Sequence, residues 1–410
     1  MKRQGAGPNN LSRSTMTMGA ALLVLVSLSS CSALDHSSSA KEVTPRKPSK
    51  PMSLTVVDGA GDLDGGGRAA IDRFAEENPD LVSRVVYRTT ASTGVTAEIK
   101  KEQNGPEDVD LVLGGPDVLG SARKQDLLLR QFPDQADLLP ELTSLQDPPR
   151  AVFQHLSDGY GLLVNYDPTG PLLAFDPSAF DTSAVPATPE DLLAWAKENK
   201  GRFGYAQPSS SGSGRAFVQA LPYMLGDSDP TDPAGGWDRT WSYLEELDTY
   251  LDGYPASSAA LSEDFNDGRL DIIPTIIAHD VSNRKSRTWP ANAGIATFDF
   301  QTWISDGHFA MIPKDVSAEA LYVVLKLESY MVQREAQQQR LTTGVLTTAN
   351  KDVTVTNSGA VVEEFVEKWG RPDFYPEALN TGSTRLPVTP DRLNVLFNMW
   401  EERFGAKVGD

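Results

Sequence analysis

Hydroxyls, carboxylates and backbone amides are the chemistry this 410-residue chain offers in recognisable spacing. The densest group is Pro208-Ser209-Ser210-Ser211-Gly212-Ser213-Gly214-Arg215, directly ahead of an apolar stretch that reads as a helix over 214–224. Ser209, Ser210, Ser211 and Ser213 set hydroxyls beside first-turn amides that lack a carbonyl partner in their own helix, an arrangement suited to phosphate, sulfate or carboxylate. The same residues fit a plainer role, with Ser213 capping the helix and the others forming a turn. Two more loops follow apolar runs: Asp58-Gly59-Ala60-Gly61-Asp62 after Leu54–Val57, and Gly114-Gly115-Pro116-Asp117 after Val109–Leu113. Gly59, Gly61 and Gly115 let backbone amides approach a ligand with no Cβ in the way, and Asp58 and Asp117 add charge.

Asp280 stands where the apolar run 270–278 ends, and a carboxylate at a strand's carboxyl end could pair with an ammonium; a solvated turn is the alternative. Tyr160, Tyr205, Trp237, Trp289 and Trp303 fall at loops or crossing strands, where a ring could stack on a ligand or face a cation. Core packing is the commoner fate of such rings.

Catalytic patterns are missing. The four histidines, His36, His155, His279 and His308, are scattered without H-E-x-x-H or paired zinc spacing. No G-x-S-x-G elbow exists, and no pair of carboxylates is singled out for glycoside chemistry. The run from Gly59 to Gly65 lacks G-x-G-x-x-G spacing and carries Asp62 and Asp64, which would repel a pyrophosphate; it also breaks the ligand order of a calcium loop. No enzyme activity, cofactor or metal is expected.

Cys31 is the one cysteine. It follows basic Lys2, Arg3 and Arg13, an apolar run from about Met18 to Leu28, and Ser29-Ser30. That pattern reads as a lipoprotein signal over 1–30, cleaved ahead of a lipidated Cys31. About ten apolar residues are too few to cross a bilayer, which takes roughly 20. The mature chain is then expected on the outer face of the cell membrane, held by lipid. With Cys31 acylated, no thiol remains for a disulfide or a thiolate metal site. Removing 1–30 takes away three basic and no acidic side chains, moving the formal charge from -19 to -22. So acidic a surface argues against nucleic acid as a partner. The Ser/Pro/Lys-rich stretch to about Pro51 reads as a flexible tether.

These loops need elements to position them. From Leu54 onward, strands at 54–57, 81–89 and 109–113 alternate with helices at 68–78, 95–103 and after Pro116. Strand 159–166 enters a second region, where Thr188 and Asp191 form a capping box for the helix 189–199. Strand 202–206, helices 214–224 and 237–251, strands 270–278, 294–300 and 308–313, and helix 318–337 follow. Such βαβα order implies α/β architecture with mostly parallel sheets, and a chain of this size divides into two lobes. Ligands of open α/β sheets sit beyond the carboxyl ends of strands, where the three loops lie.

In the order and spacing of Leu54–Asp58, Asp108–Gly114, Tyr160–Tyr166, Pro208–Arg215 and the stretch from Leu221 through Gly236–Trp241 to Asp280, the chain resembles the family 1 extracellular solute-binding proteins. These are the substrate-capturing components of ABC importers. The resemblance implies a two-lobed periplasmic-binding-protein fold, type II-like, each lobe a mostly parallel sheet flanked by helices, with a ligand cleft between. Residues 52–162 would begin lobe 1, 163–307 form lobe 2, and 308–410 return to lobe 1 and end in helices; 160–166 and 300–313 would be the hinge strands. It further implies a monomer with a small solute and a membrane permease as partners. Relatives take polyamines, thiamine, ferric iron, sulfate or phosphorylated solutes. Iron is disfavoured, because the chain has no Tyr-Tyr pair. A polyamine-like cation held by Asp58, Asp117, Asp280, Tyr160 and Trp237 is the favoured ligand. The alternatives are an anion on the Ser209–Ser213 loop with Arg215 or Arg239, or a sensory lipoprotein that transports nothing.

Overall fold

The strand Met52–Asp58 (β1) is buried on both faces from Leu54 onward, as a central strand covered from both sides must be. In the computed structural model, which describes residues 43–101, 108–179, 184–290 and 292–409, β1 pairs in parallel with β2 (Val82–Thr89) and β3 (Leu111–Gly114). Antiparallel β8 (Thr302–Met311) and β4 (Leu162–Gly170) extend the sheet, giving the order β2-β1-β3-β8-β4, and a short β9 (Ser383–Arg385) adds to β8. Alternation divides the apolar side chains between two cores. Leu54, Val56, Leu111 and Leu113 join one, under the helices Arg68–Glu77 and Ala318–Met331; Val57 and Val112 join the other, with Val118 and Leu119.

The second lobe has its own sheet: β6 (Ile272–Thr275), β5 (Leu172–Phe175) and β7 (Gly294–Ala296) in the order β6-β5-β7. Both of its pairings are antiparallel, contrary to the expectation of a mostly parallel sheet in each lobe. The expected strand 202–206 survives as a single parallel bridge from Phe203 to Ile272. Short fully apolar runs carry no record of strand direction, so alternation of strand and helix is a weak guide there.

β4 runs through Pro171 into β5, and the chain returns from β7 to β8, so these segments join the lobes. The final helix, Pro390–Phe404, departs from the expected return to lobe 1. Leu393, Leu396, Trp400 and Phe404 enter the second-lobe core, where Trp400 Nε1 donates to the Tyr205 hydroxyl at 3.1 Å. Its first turn touches the lobe 1 helix Pro116–Lys124: a Cβ on Gly120 would lie 2.7 Å from the Pro390 carbonyl oxygen.

Residues 1–42, including Cys31 and the expected signal segment, lie outside the described residues. The end of the expected tether is docked. Val43 packs on the first core, the Arg46 amide donates to the Ala318 carbonyl at 2.9 Å, and Lys47 pairs with Asp80. Among the described residues no helix is long and apolar enough to cross a membrane, and no cluster of His, Cys, Asp and Glu could hold a metal.

Candidate functional site

A cavity of ≈ 440 Å³ opens between the two lobes. From lobe 1 it is lined by Gly59 and Ala60 after β1, by Ala91, Ser92 and Thr93 after β2, by Gly115 and Asp117 after β3, and by His308 on β8. The second lobe contributes Gln207, Ser209, Ser210, Ser211, Gly212 and Arg215. Apart from Ala60 and Ala91 the lining is polar or glycine, and among the described residues no Phe, Tyr or Trp takes part.

Each loop is built for close approach. Asp58 is buried and turns back on its own chain, accepting from the amides of Ala60 at 2.8 Å and Leu63 at 2.9 Å. This bends the backbone after β1 and presents Gly59, where a Cβ would meet Val95 Cγ2 at 2.3 Å. Gly115 precedes Pro116, which opens the next helix at the position that tolerates proline. Ser211 is the N-cap of the helix Gly212–Met224, its Oγ accepting from the Gly214 amide at 3.1 Å. It also bonds Ser213 Oγ at 3.1 Å and Ser258 Oγ at 2.8 Å, while Ser210 Oγ donates to the Ala256 carbonyl.

Asp117, Arg215 and His308 bring charge to the cavity lining. Arg215, in the first turn of its helix, reaches Asp306 at 3.2 Å and Asp117 at 3.7 Å. Burial alone would lower its pKa, but those two carboxylates hold it above the ordinary value. One guanidinium from the second lobe thus joins β8 and the helix Pro116–Lys124 of lobe 1. Asp167 lies opposite Asp306 in the β4–β8 ladder, and burial pushes its carboxyl up to about 7, against a hydrogen bond from Thr347.

Of the residues expected at a site, the structure brings together Gly59, Gly115, Asp117, Ser209, Ser210 and Ser211. It places six elsewhere. Asp58 shapes its loop from within, and Gly61, at φ +74°, makes the turn without lining the cavity. Ser213 is buried behind Ser211. Tyr160 packs under the Arg123 guanidinium. Trp237 belongs to the second-lobe core, its Nε1 donating to the Pro230 carbonyl at 3.0 Å. Asp280 lies in the first turn of the helix Ile277–Ser286, since the strand ends at Thr275, and its carboxylate is bound to Arg284, Arg371 and Tyr375. Ala91, Ser92, Thr93, Gln207 and His308 line the cavity without being singled out by sequence reasoning; alternation along β8 puts His308 on the same face as Asp306.

The profile of the bacterial extracellular solute-binding proteins matches residues 69–364. This chain belongs to that family. Protein YnjB of Escherichia coli (strain K12) is 28% identical over 173 residues, 39% of this chain and 43% of that protein, so the match spans less than half of that relative. Among solved structures, an ABC transporter from Clostridium perfringens ATCC 13124 superposes with a TM-score of 0.64 at 15% identity, covering 87% of this chain and 100% of that one. A periplasmic thiamin binding protein gives 0.58 at 15% identity, covering 90% and 99%. Identities this low carry the fold alone, and that fold is the two-lobed one seen here. For a solute-binding protein, the interlobe cavity is the concave, polar feature that both lobes build.

Proposed function

We propose that this solute-binding protein captures a small polar solute between its lobes and delivers it to the permease of an ABC importer, working from the outer face of the membrane on a lipid carried by Cys31. The observation that carries this reading is the cavity itself, a volume within the range of small-ligand sites, lined from both lobes by loops at strand ends and helix starts. The neighbour from Clostridium perfringens is an ABC transporter, which supports the importer assignment. The β4–β5 and β7–β8 segments are the hinge about which the lobes close.

A polyamine-like cation loses its support. Of the three carboxylates expected to hold it, Asp280 is engaged by two arginines, Asp58 by two backbone amides, and Asp117, which lines the cavity, faces Arg215; Trp237 and Tyr160 do not wall the cavity. Small-angle scattering, with and without a concentrated low-molecular-mass fraction of bacterial growth medium, tests the capture. Compaction on addition is expected. An unchanged radius of gyration while a solute is demonstrably bound would remove lobe closure.

A further inference from the structure

We propose that the captured solute carries an anionic group and that His308 is the residue that specifies it, its ring held in the cleft by a buried Asp62–Arg340 pair. This rests on the reading of the cleft as a solute site.

The argument begins behind the ring. Asp62 and Arg340 have fully buried side chains and form a two-pronged pair, Nη1 to Oδ1 at 2.8 Å and Nη2 to Oδ2 at 2.9 Å. The chain is fitted around them. Gly66 adopts φ +97° against the Arg340 side chain, and a Cβ on Gly67 would stand 2.3 Å from Asp62 Oδ2. The Gly65-Gly66-Gly67 run is therefore the casing of an ion pair. A guanidinium at that distance keeps Asp62 ionised, and an ionised carboxylate only accepts hydrogen bonds.

His308 Nδ1 lies 2.9 Å from Asp62 Oδ1, so Nδ1 carries the hydrogen and donates it. That leaves Nε2 as the ring's free nitrogen: among the described residues no hydrogen bond engages it, and the ring lines the cavity. Burial alone would lower the pKa of His308, but the bond and charge of Asp62, with Asp306 and Asp58 nearby, hold it above the ordinary value. Protonation of the ring, which the Asp62 contact and the neighbouring carboxylates favour, makes Nε2 an N–H donor on a cation. Asp167 keeps Oδ2 without a hydrogen bond, but it does not line the cavity and burial pushes its carboxyl up to about 7; the other nearby carboxylates are engaged. Asp62 faces Arg340, Asp117 and Asp306 face Arg215, and Asp58 accepts two backbone amides. A cationic solute would meet engaged carboxylates and an imidazolium; an anionic one would meet an unengaged charged donor beside serine and threonine hydroxyls.

The test uses protein labelled with ¹⁵N at histidine, titrated separately with inorganic phosphate, with succinate, and with putrescine as the cationic control. Both oxyanions are expected to shift the His308 ring nitrogens and raise its titration midpoint, while putrescine does neither. By calorimetry, His308→Gln should weaken oxyanion binding about ten- to a hundredfold, the worth of a charge-assisted contact. Wild-type affinity should fall as pH rises through the His308 midpoint, and that slope should vanish in the variant. No His308 response to either oxyanion, or a response to putrescine alone, overturns the anion assignment. The cleft as a solute site is judged separately, by the scattering experiment.

Discussion

Replacing Asp280 by Asn should damage the fold and spare the ligand. The Asp280 carboxylate is fully buried and accepts five hydrogen bonds: Arg284 Nε at 3.0 Å and Nη2 at 2.8 Å, Arg371 Nε at 2.8 Å and Nη2 at 2.9 Å, and the Tyr375 hydroxyl at 2.7 Å. Arg284 and Arg371 are themselves largely buried, at 8% and 21% side-chain exposure. The carboxylate thus ties the helix Ile277–Ser286 to the segment around Arg371–Tyr375. An amide of the same shape turns one acceptor into a donor facing a guanidinium and leaves two buried cations without a counter-charge. Breaking a buried pair in this way costs about 3–5 kcal/mol. With an unfolding entropy of about 2.1 cal/mol/K per residue, a folded part of roughly 370 residues gives ~0.8 kcal/mol/K, so Tm should fall by about 4–6 °C. Burial alone would raise the Asp280 pKa, but the two arginines hold it below its ordinary 3.8. Its contribution is therefore complete above that pH and lost below it, and the gap between wild type and variant should close in acid. Calorimetric scans at pH 3 to 7, paired with solute titration below Tm, read both effects. A variant of unchanged Tm with weakened solute binding would refute the structural role given to Asp280.

Other perturbations follow from the same contacts. Burial raises the carboxyls of Asp110 and Asp167 to about 7 and that of Glu328 well above its ordinary value, so the stability of all three groups is greatest below their ordinary pKa and declines as pH rises. Tm should accordingly be higher at pH 5 than at pH 8, and Glu328→Gln, which keeps the partnership with Gln131, should flatten that decline; a Tm that rises toward pH 8 would contradict it. Arg215→Gln leaves Asp117 and Asp306 without their shared cation and should cost about 1–3 kcal/mol in urea unfolding, discounted from a fully buried pair for its partial exposure. Ser211→Ala removes the N-cap of the helix Gly212–Met224 and should cost about 1 kcal/mol, checked by the same unfolding curves. Cys31→Ser should release the protein from membranes; retention after a high-salt wash would count against lipid attachment.

The framework is legible in the sequence where periodicity is strong. The helices Arg68–Glu77 and Pro189–Glu198 lie within a residue of their expected ends, the second with its Thr188–Asp191 capping box. The three cleft loops are legible too, because glycine and serine clusters at strand ends have a local cause. Asp280 is misplaced by sequence reasoning because the apolar run 270–278 has no period of its own, and the chain uses it as a short strand followed by a helix. Trp237 is misplaced for a related reason, since a ring next to a loop in sequence still enters the core when the loop folds over it. The Asp62–Arg340 pair spans 278 positions, and His308 joins Asp62 across 246, so no local signal exists for either. The docking of β8 beside β3 brings His308 to Asp62, and the packing of the helix Arg334–Arg340 against the segment after β1 brings Arg340.

Capture between the lobes is tested most directly by native mass spectrometry of the wild type and of Ser209→Trp after exposure to the same low-molecular-mass fraction of growth medium. Ser209 lines the cavity, and its side chain makes no hydrogen bond among the described residues, so an indole there fills the cleft without breaking a structural contact. The wild type should carry a small non-covalent adduct, released on denaturation, and the variant should carry none. An adduct held equally by both proteins would place the solute somewhere other than between the lobes.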